Sequence, residues 1–264
     1  MTGRLDKKAA VITGGCGTLG MAAARRFVQE GARVFLVDTN EDELKQNVQN
    51  LGRGMADYAV ADVSQASQVQ AYVKAAAARF GRINVFLNNA GIEGCVTPIT
   101  QYPEKVFDRV MDVNVRGVWL GLKYVIPEMI RCGGGSIIIS SSVAGLTGSP
   151  GVSAYTCSKH AVIGLMRTAA LECASLNIRV NTVNPSPVEG RMMQSLETGL
   201  EHMSAVLEPD LGKFKARDKV LETMPMGRYA RPDEVAGLML FLASDDSQFC
   251  SGGIYMVDGA KTCQ

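Results

Sequence analysis

Short apolar segments alternate with longer amphipathic segments along most of the chain, and this alternation predicts its fold. The apolar segments have the length and composition of buried strands, and they are 9–13, 33–38, 58–63, 84–89, 136–141, 178–183 and 254–257. Helical periodicity lies between them, over 18–30, 41–51, 67–80, 103–131, 153–175 and after Pro232. Repeated strand–helix–strand units predict an α/β fold, a doubly wound (Rossmann) parallel sheet of about seven strands with helices on both faces.

The region from about 188 to 226 departs from this regular alternation. Its helical pattern is expected to break at Gly199, Pro209, Gly212 and Pro225. Because the region follows the carboxyl end of a strand, where open α/β sheets bind their ligands, we expect a substrate lid there. A surface excursion is the alternative. No linker or change of composition divides the chain, so residues 1–264 are expected to form a single domain.

Charge and composition narrow the range of partners. Lys and Arg number 27 against 26 Asp and Glu, and the net charge of +1 disfavours a nucleic-acid partner. No apolar run reaches the ~18 residues of a membrane span, and the N-terminus has no signal-peptide pattern, so no membrane partner is expected. The seven cysteines are scattered and never spaced C-x-x-C, as is typical of free thiols in the cytoplasm. With only two histidines, no metal site is expected.

The turn after the first strand has the composition of a phosphate-binding loop. TGGCGTLG (13–20) lies between a predicted strand and a predicted helix, so its backbone and the helix N-terminus can approach a pyrophosphate. Asp38 ends the second strand, where a carboxylate accepts hydrogen bonds from the adenosine ribose and repels a 2′-phosphate. No Lys or Arg lies within 13–20 or at 39–40 to offset this charge, so NAD is favoured over NADP.

A tyrosine and a lysine four positions apart are the candidates for proton transfer. Tyr155 and Lys159 share one face of a predicted helix, and the serines at 140–142 end the strand before it. A nearby ammonium favours the phenolate of a tyrosine, whose ordinary pKa of ~10 is too high for a general base near neutrality. Such a pair occurs by chance in many helices, and its weight here comes from the dinucleotide turn and the serines.

Together these motifs resemble the short-chain dehydrogenase/reductase family over essentially the whole chain. The matching residues occur in the family's order and spacing, and they are TGGCGTLG (13–20), Asp38, ADV (61–63), NNAG (88–91), Asn114, Ser142, Tyr155, Lys159, NPSP (184–187) and DG (258–259). Within the family, NNAGIEG (88–94) and LGLKYVIPEM (120–129) look most like NAD-dependent cyclic alcohol dehydrogenases and levodione reductase.

The resemblance implies roles for the matching residues. Tyr155 would be the acid/base and Ser142 would position the substrate oxygen. Lys159 would bind the nicotinamide ribose and lower the pKa of the tyrosine, while Asn114 would anchor a relay water. The implied cofactor-binding residues are Gly14, Cys16, Gly17, Thr18, Leu19, Gly20, Asp38, Asp62, Val63, Asn89, Ala90, Gly91, Tyr155, Lys159, Pro185 and Val188.

Three positions depart from the family's pattern. Thr18 replaces the middle glycine of the turn, Ser186 the glycine of N-P-G, and Gly190 a threonine that often contacts the nicotinamide carboxamide. We expect altered cofactor contacts, with the Val188 backbone as a candidate for the carboxamide, and unchanged catalytic residues.

The expected substrate site is largely apolar and consists of Glu93, Ser142, Ala144, Tyr155, Pro187, Met192 and Met193. It suits a small, cyclic secondary alcohol or ketone, because methionines give an adaptable apolar wall. Glu93 either binds a second substrate oxygen or lies in solvent. Two helices carry apolar residues on more than one face, which with the resemblance predicts a homotetramer, or else a dimer; these residues are Val113, Val118, Leu122, Val125, Ala161, Val162, Leu165 and Met166.

Two other functions compete with an NAD-dependent alcohol dehydrogenase. A 3-ketoacyl-carrier-protein reductase-like enzyme would normally need a 2′-phosphate site and a basic surface, which Asp38 and the net charge of +1 disfavour. A non-catalytic NAD-binding regulatory protein would not need the Tyr155–Lys159 pair. An enoyl reductase of the family is disfavoured, because in those enzymes the tyrosine and the lysine are more widely spaced than Tyr155 and Lys159 are here.

Overall fold

The computed structural model describes residues 3–52, 54–207 and 215–263. Within these residues, seven strands form one parallel sheet, and they are β1 (Ala9–Thr13), β2 (Arg33–Asp38), β3 (Ala56–Val60), β4 (Val85–Asn88), β5 (Gly135–Ser140), β6 (Ile178–Pro185) and β7 (Ile254–Val257). Their order is β3-β2-β1-β4-β5-β6-β7, so the direction of winding reverses between β1 and β4. This reversal opens a crevice at the carboxyl edge of the sheet. The predicted α/β fold is confirmed.

Helices cover both faces of the sheet. They are α1 (Thr18–Gln29), α2 (Glu41–Leu51), α3 (Ala66–Phe80), α4 (Glu104–Met111), α5 (Gly117–Arg131), α6 (Ser153–Cys173), α7 (Arg191–Leu207), α8 (Ala216–Glu222) and α9 (Pro232–Ala243). One apolar core joins the sheet to α1, α2 and α9, with Phe27, Leu44 and Leu240 fully buried. A second core joins the other face to α3, α5 and α6, with Val69, Val125 and Met166 fully buried. The near-continuous apolar strands follow from burial on both faces.

The helix predicted over 103–131 contains a π-helical turn, Asp112–Arg116, between α4 and α5. Such turns insert one extra residue into a helix and often occur at functional sites. The turn contains Asn114, whose Oδ1 accepts from the N–H of Ile92 at 2.8 Å and whose Nδ2 donates to the carbonyl of Ile92 at 2.9 Å. These bonds hold Asn114 against the loop after β4. Hydrophobic periodicity along the helix does not predict the π-helical turn.

The region from about 188 to 226 contains α7 and α8, and one of its expected helix breaks is absent. Helix α7 runs through Gly199, where a Cβ atom would lie 2.6 Å from Cγ2 of Val96, so the glycine permits close packing. Pro225 follows the end of α8 as expected. Pro209 and Gly212 lie outside the described residues.

The apolar residues from which a subunit interface was predicted are mostly part of the chain's own core. Val113, Val118, Leu122 and Val125 are buried in the single chain, as are Val162 and Met166. These residues therefore give no support to a subunit interface. The exposed apolar side chains on the same helices are different ones, namely Phe107, Trp119, Ile130 and Leu171.

No helix among the described residues is long and apolar enough to cross a membrane. In the same part of the chain, no group of three or more His, Cys, Asp or Glu residues is arranged to hold a metal ion.

Candidate active site

Hydrogen bonds tie the carboxyl ends of β1, β4 and β5 together beneath the crevice. Oγ1 of Thr13 accepts from the N–H groups of Asn89 at 2.9 Å and Ala90 at 3.1 Å. The Asn89 side chain donates to the carbonyl of Thr13 at 3.1 Å and accepts from the hydroxyl of Ser140 at 2.9 Å. Because these bonds are partly buried and form a connected network, they help to hold the loops above them in position.

The glycine-rich turn forms a close backbone cradle. Gly14 has a φ of +66°, and its carbonyl accepts from the N–H of Gly17 at 3.0 Å. A Cβ atom on Gly20 would lie 2.2 Å from that carbonyl oxygen, so only glycine lets α1 pack against the turn. Helix α1 begins at Thr18 and its N-cap, Gly17, makes no side-chain hydrogen bond. The N–H groups of the first helical turn are therefore available to an anion.

Two carboxylates, those of Asp38 and Asp62, lie along the crevice. Asp38 accepts from the N–H groups of Cys16 at 2.9 Å and Thr39 at 2.8 Å. Asp62 lies in the loop after β3, which ends at Val60, three positions before the end predicted for that strand at 63. Burial acts to raise the pKa of Asp62, but hydrogen bonds from Ser64 and the Arg109 guanidinium outweigh it and hold that pKa below its ordinary value.

A single cavity of about 800 Å³ connects the glycine-rich turn to the candidate catalytic residues. Every predicted cofactor residue lines it except Gly20, which lies beneath the turn. The predicted substrate residues Glu93, Ser142, Ala144, Tyr155, Pro187, Met192 and Met193 line it as well. On the side formed by residues 188–226, the cavity is lined by Leu196 and Leu200 of α7 and Val220 of α8. This volume is ample for a small organic molecule beside an extended ligand.

Tyr155 and Ser142 both line this cavity and lie close enough for a hydrogen bond between their side chains. Burial raises the pKa of Tyr155 to about 12, the hydroxyl of Ser142 lowers it by hydrogen bonding, and the nearby charge of Glu93 raises it. The Ser142 hydroxyl is oriented by the N–H of Ala144, which donates to it at 3.1 Å. The phenol is therefore protonated at neutral pH, as the proton donor for a carbonyl must be.

Lys159 lies beneath Tyr155 on α6, with Nζ 5.3 Å from the centroid of the tyrosine ring. The ammonium donates to the carbonyl of Ser140 at 2.7 Å, and burial lowers the pKa of Lys159 to about 8. The sequence predicts that the lysine lowers the pKa of the tyrosine. In the structure the group that lowers the pKa of Tyr155 is the hydroxyl of Ser142, and the predicted effect of Lys159 stays a prediction.

Asn114 differs from the other predicted catalytic residues because it does not line the cavity. Besides its two bonds to Ile92, it donates to Oγ of Ser158 at 3.0 Å, so its side chain links the loop after β4 to α6. It is also close to the lysine, since a Cβ atom on Gly91 would lie 3.3 Å from Asn114 Oδ1 and 3.6 Å from Lys159 Nζ. Its predicted role as a water anchor stays a prediction.

Sequence reasoning missed five charged residues of the cavity, which are Glu43, Arg109, Glu189, Arg191 and Lys261. Arg191 donates to the carbonyl of Cys16, 175 positions away, and to Glu43, 148 positions away. No local pattern could have paired residues so far apart. The hydroxyl of Ser186 also lines the cavity, is buried, and has no hydrogen-bond partner among the described residues.

The residues of the cavity fit a dinucleotide. The cradle at Gly14 suits a pyrophosphate, Asp38 suits a ribose diol, and Ser186 leaves a buried hydroxyl without a partner at the other end, beside Pro185. Glycine-rich turn, strand-end acid and helix N-terminus are the elements that such a ligand requires.

A family model described as enoyl-(acyl carrier protein) reductase matches residues 16–261. Levodione reductase of Leifsonia aquatica is 36% identical, covering 99% of this chain and 96% of that protein. The 3-oxoacyl-[acyl-carrier-protein] reductase FabG of Thermotoga maritima is 37% identical, covering 97% and 98%. Cyclohexanol dehydrogenase of an Acinetobacter species is 33% identical, covering 99% and 98%.

Solved structures give the same picture. NAD⁺-bound xylitol dehydrogenase superimposes with a TM-score of 0.90 at 33% identity, covering 97% of this chain and 99% of the other. An NADH complex of 3-ketoacyl-(acyl-carrier-protein) reductase from Brucella melitensis has a TM-score of 0.87 at 29% identity, covering 98% and 99%. The chain belongs to the short-chain dehydrogenase/reductase family, as its motifs predicted. It is an oxidoreductase that acts on alcohol and carbonyl groups.

Proposed function

We propose that this chain transfers a hydride between NAD(H) and a small, largely apolar, cyclic secondary alcohol or ketone, with Tyr155 as the acid/base. The observation that carries the proposal is the meeting of Tyr155, Ser142 and Lys159 in the same cavity as the glycine-rich turn. NAD(H), when bound, supplies or accepts the hydride and, in its oxidised form, adds a positive charge near the phenol. The NAD⁺-bound and NADH-bound relatives support this cofactor.

The chain's own residues handle the proton. In the reducing direction, the Tyr155 hydroxyl donates its proton to the carbonyl oxygen that the Ser142 hydroxyl holds by a hydrogen bond. In the oxidising direction, the tyrosinate removes the proton of the alcohol. Lys159 keeps a positive charge beneath the ring below about pH 8, because burial lowers its pKa to about 8.

The lid side of the cavity supports an apolar substrate. Met192, Met193, Leu196 and Leu200 line it from α7, and Val220 lines it from α8. Cyclohexanol dehydrogenase and levodione reductase among the relatives are consistent with a cyclic alcohol or ketone. Glu93 is the charged member of the predicted substrate set, and its influence on the pKa of Tyr155 indicates that it lies near the reacting oxygen. We assign it to a second polar group of the substrate.

A 3-ketoacyl-carrier-protein reductase is the second candidate, because the FabG relative matches 97% of this chain. The Brucella melitensis enzyme of that name is complexed with NADH, so the acid at Asp38 does not separate the two activities. Substrate preference has to separate them.

The deciding experiment measures kcat/KM for a panel of cyclic alcohols, cyclic ketones and a β-ketoacyl thioester, with NAD(H) and NADP(H) in parallel. Tyr155→Phe should lower kcat/KM by about 10²- to 10⁴-fold, the range of general acid–base catalysis, while the Kd for NAD⁺ changes little. Tyr124→Phe removes a hydroxyl outside the cavity and should retain activity. A fully active Tyr155→Phe variant would contradict the mechanism, and a clear preference for the thioester would favour the second candidate.

The homotetramer also belongs to this proposal. Its support is the exposed apolar side chains of α4 to α6, with Leu171 83% exposed and Trp119 45% exposed in the single chain. The cytoplasmic location stays a prediction from the sequence.

A further inference from the structure

An arginine reaches the corner of the cavity where Asp38 is placed for the adenosine ribose. Arg191 is the first residue of α7, and its Nη2 atom donates to the carbonyl oxygen of Cys16 at 2.7 Å. The N–H of the same cysteine donates to Oδ2 of Asp38 at 2.9 Å. The backbone of Cys16 thus bonds to both side chains: its N–H donates to the Asp38 carboxylate, and its carbonyl accepts from the Arg191 guanidinium.

Glu43 on α2 holds this guanidinium. Its Oε1 accepts from Nη1 of Arg191 at 3.0 Å, and its Oε2 accepts from Nη2 at 3.2 Å. Asn40 donates to Oε1 of Glu43 at 3.1 Å and so keeps the carboxylate in position. Because the two side chains are 64% and 37% exposed, the pair adds little to stability. The pair matters locally, because the Glu43 carboxylate occupies the edge of the Arg191 guanidinium that could otherwise bind an anion.

A 2′-phosphate on the ribose would enter this corner. Two carboxylates, Asp38 and Glu43, then repel it, and one guanidinium attracts it. Arginine forks are the usual partners of phosphates because they make two parallel, charge-assisted hydrogen bonds. Here Glu43 already takes both of the terminal nitrogens of Arg191.

We propose that Arg191 is a latent ligand for a 2′-phosphate and that Glu43, by pairing with it, is a second determinant of NAD over NADP beside Asp38. The inference rests on the proposed use of a dinucleotide cofactor. It requires that loss of the Glu43 charge frees Arg191 for the phosphate.

Calorimetric titration with 2′,5′-ADP and 5′-AMP isolates this corner, since the two nucleotides differ by the 2′-phosphate. Glu43→Gln keeps the size of the side chain and an acceptor for Asn40. We expect it to tighten 2′,5′-ADP about tenfold relative to 5′-AMP, which corresponds to about 1.4 kcal/mol. The double variant Glu43→Gln, Arg191→Met should lose this gain. The ratio of kcat/KM for NADP⁺ to that for NAD⁺ should change in parallel.

Glu41→Gln is the matched control, because Glu41 is on the same helix, pairs with Lys45 and does not line the cavity. An equal gain in Glu41→Gln would mean that overall charge matters and would overturn the inference. Persistence of the gain without Arg191, or an unchanged ratio in Glu43→Gln, would overturn it as well. In each of these three outcomes, binding of 5′-AMP and NAD⁺ by the wild type would leave the proposed function standing. Failure of the wild type to bind either would overturn the function together with the inference.

Discussion

Replacing Lys159 with methionine should abolish turnover without unfolding the protein, because the lysine is buried at a thermodynamic cost. Lys159 is 5% exposed, and burial lowers the pKa of its side chain from 10.5 to about 8. At 1.36 kcal/mol for each tenfold change in proton affinity, this shift corresponds to about 3 kcal/mol against folding near neutral pH. Loss of the charged hydrogen bond to the Ser140 carbonyl costs about 1.5–3 kcal/mol in the variant. At pH 7 the two opposing effects should leave the variant within about 1.5 kcal/mol of wild type.

The pH dependence of stability gives the sharper test. Since the pKa of Lys159 is lower in the folded chain than in the unfolded chain, the unfolded chain binds more protons between about pH 8 and 10.5. The free energy of unfolding of the wild type therefore rises with pH in this window through this group, and the methionine variant lacks the effect. Between pH 7 and 9.5 the wild type should gain about 2 kcal/mol relative to the variant.

Urea unfolding of both cofactor-free proteins at pH 7, 8.5 and 9.5, at one protomer concentration, measures this difference. Lys123→Met is the matched control, because Lys123 is exposed on α5 and its replacement should give a difference that does not vary with pH. A wild-type minus Lys159→Met difference that changes by less than ~0.5 kcal/mol over this range would refute the reasoning.

Two further predictions follow from the cradle and the substrate site. Gly20→Ala should weaken NAD⁺ binding about tenfold or more, because its Cβ would meet the Gly14 carbonyl oxygen at 2.2 Å, whereas Gly164→Ala, which meets nothing within 4 Å, should bind normally in the same titration. Equal binding by both glycine variants would contradict the cradle. Glu93→Gln should raise KM for a diol or diketone more than for a simple alcohol, and it should shift the pH profile of alcohol oxidation to lower pH, because the Glu93 charge raises the pKa of Tyr155. Equal KM effects on both substrates would exclude the substrate contact.

Local patterns predicted the elements of the fold well, and their failures have physical causes. Strand β2 begins and ends where its apolar run does, because that run is buried on both faces. The local pattern does not predict the π-helical turn at Asn114, whose side chain makes two hydrogen bonds to Ile92, 22 positions away in the sequence. The break expected at Gly199 is wrong because the glycine meets Val96 across the fold. A glycine can either end a helix or allow another segment to pack closely against it. Which of the two applies at Gly199 depends on Val96, which is distant in sequence and packs against it.

Tertiary structure also reassigned the apolar helix residues. Val118 and Leu122 have the same periodicity whether they face a partner subunit or the chain's own sheet. A sequence pattern shows which face of a helix is apolar, but the apolar surface that covers it depends on where the helix packs.

The sequence by itself determined the parallel sheet, the glycine-rich turn, the acid at Asp38 and the spacing of Tyr155 and Lys159. These features depend on residues that are close together in the chain. Tertiary structure alone decided which other charges surround them, as the Arg191 guanidinium beside Cys16 and the Arg109 guanidinium beside Asp62 show. The electrostatic field at a site is summed over atoms close in space, and folding brings those atoms together from positions up to 175 residues apart.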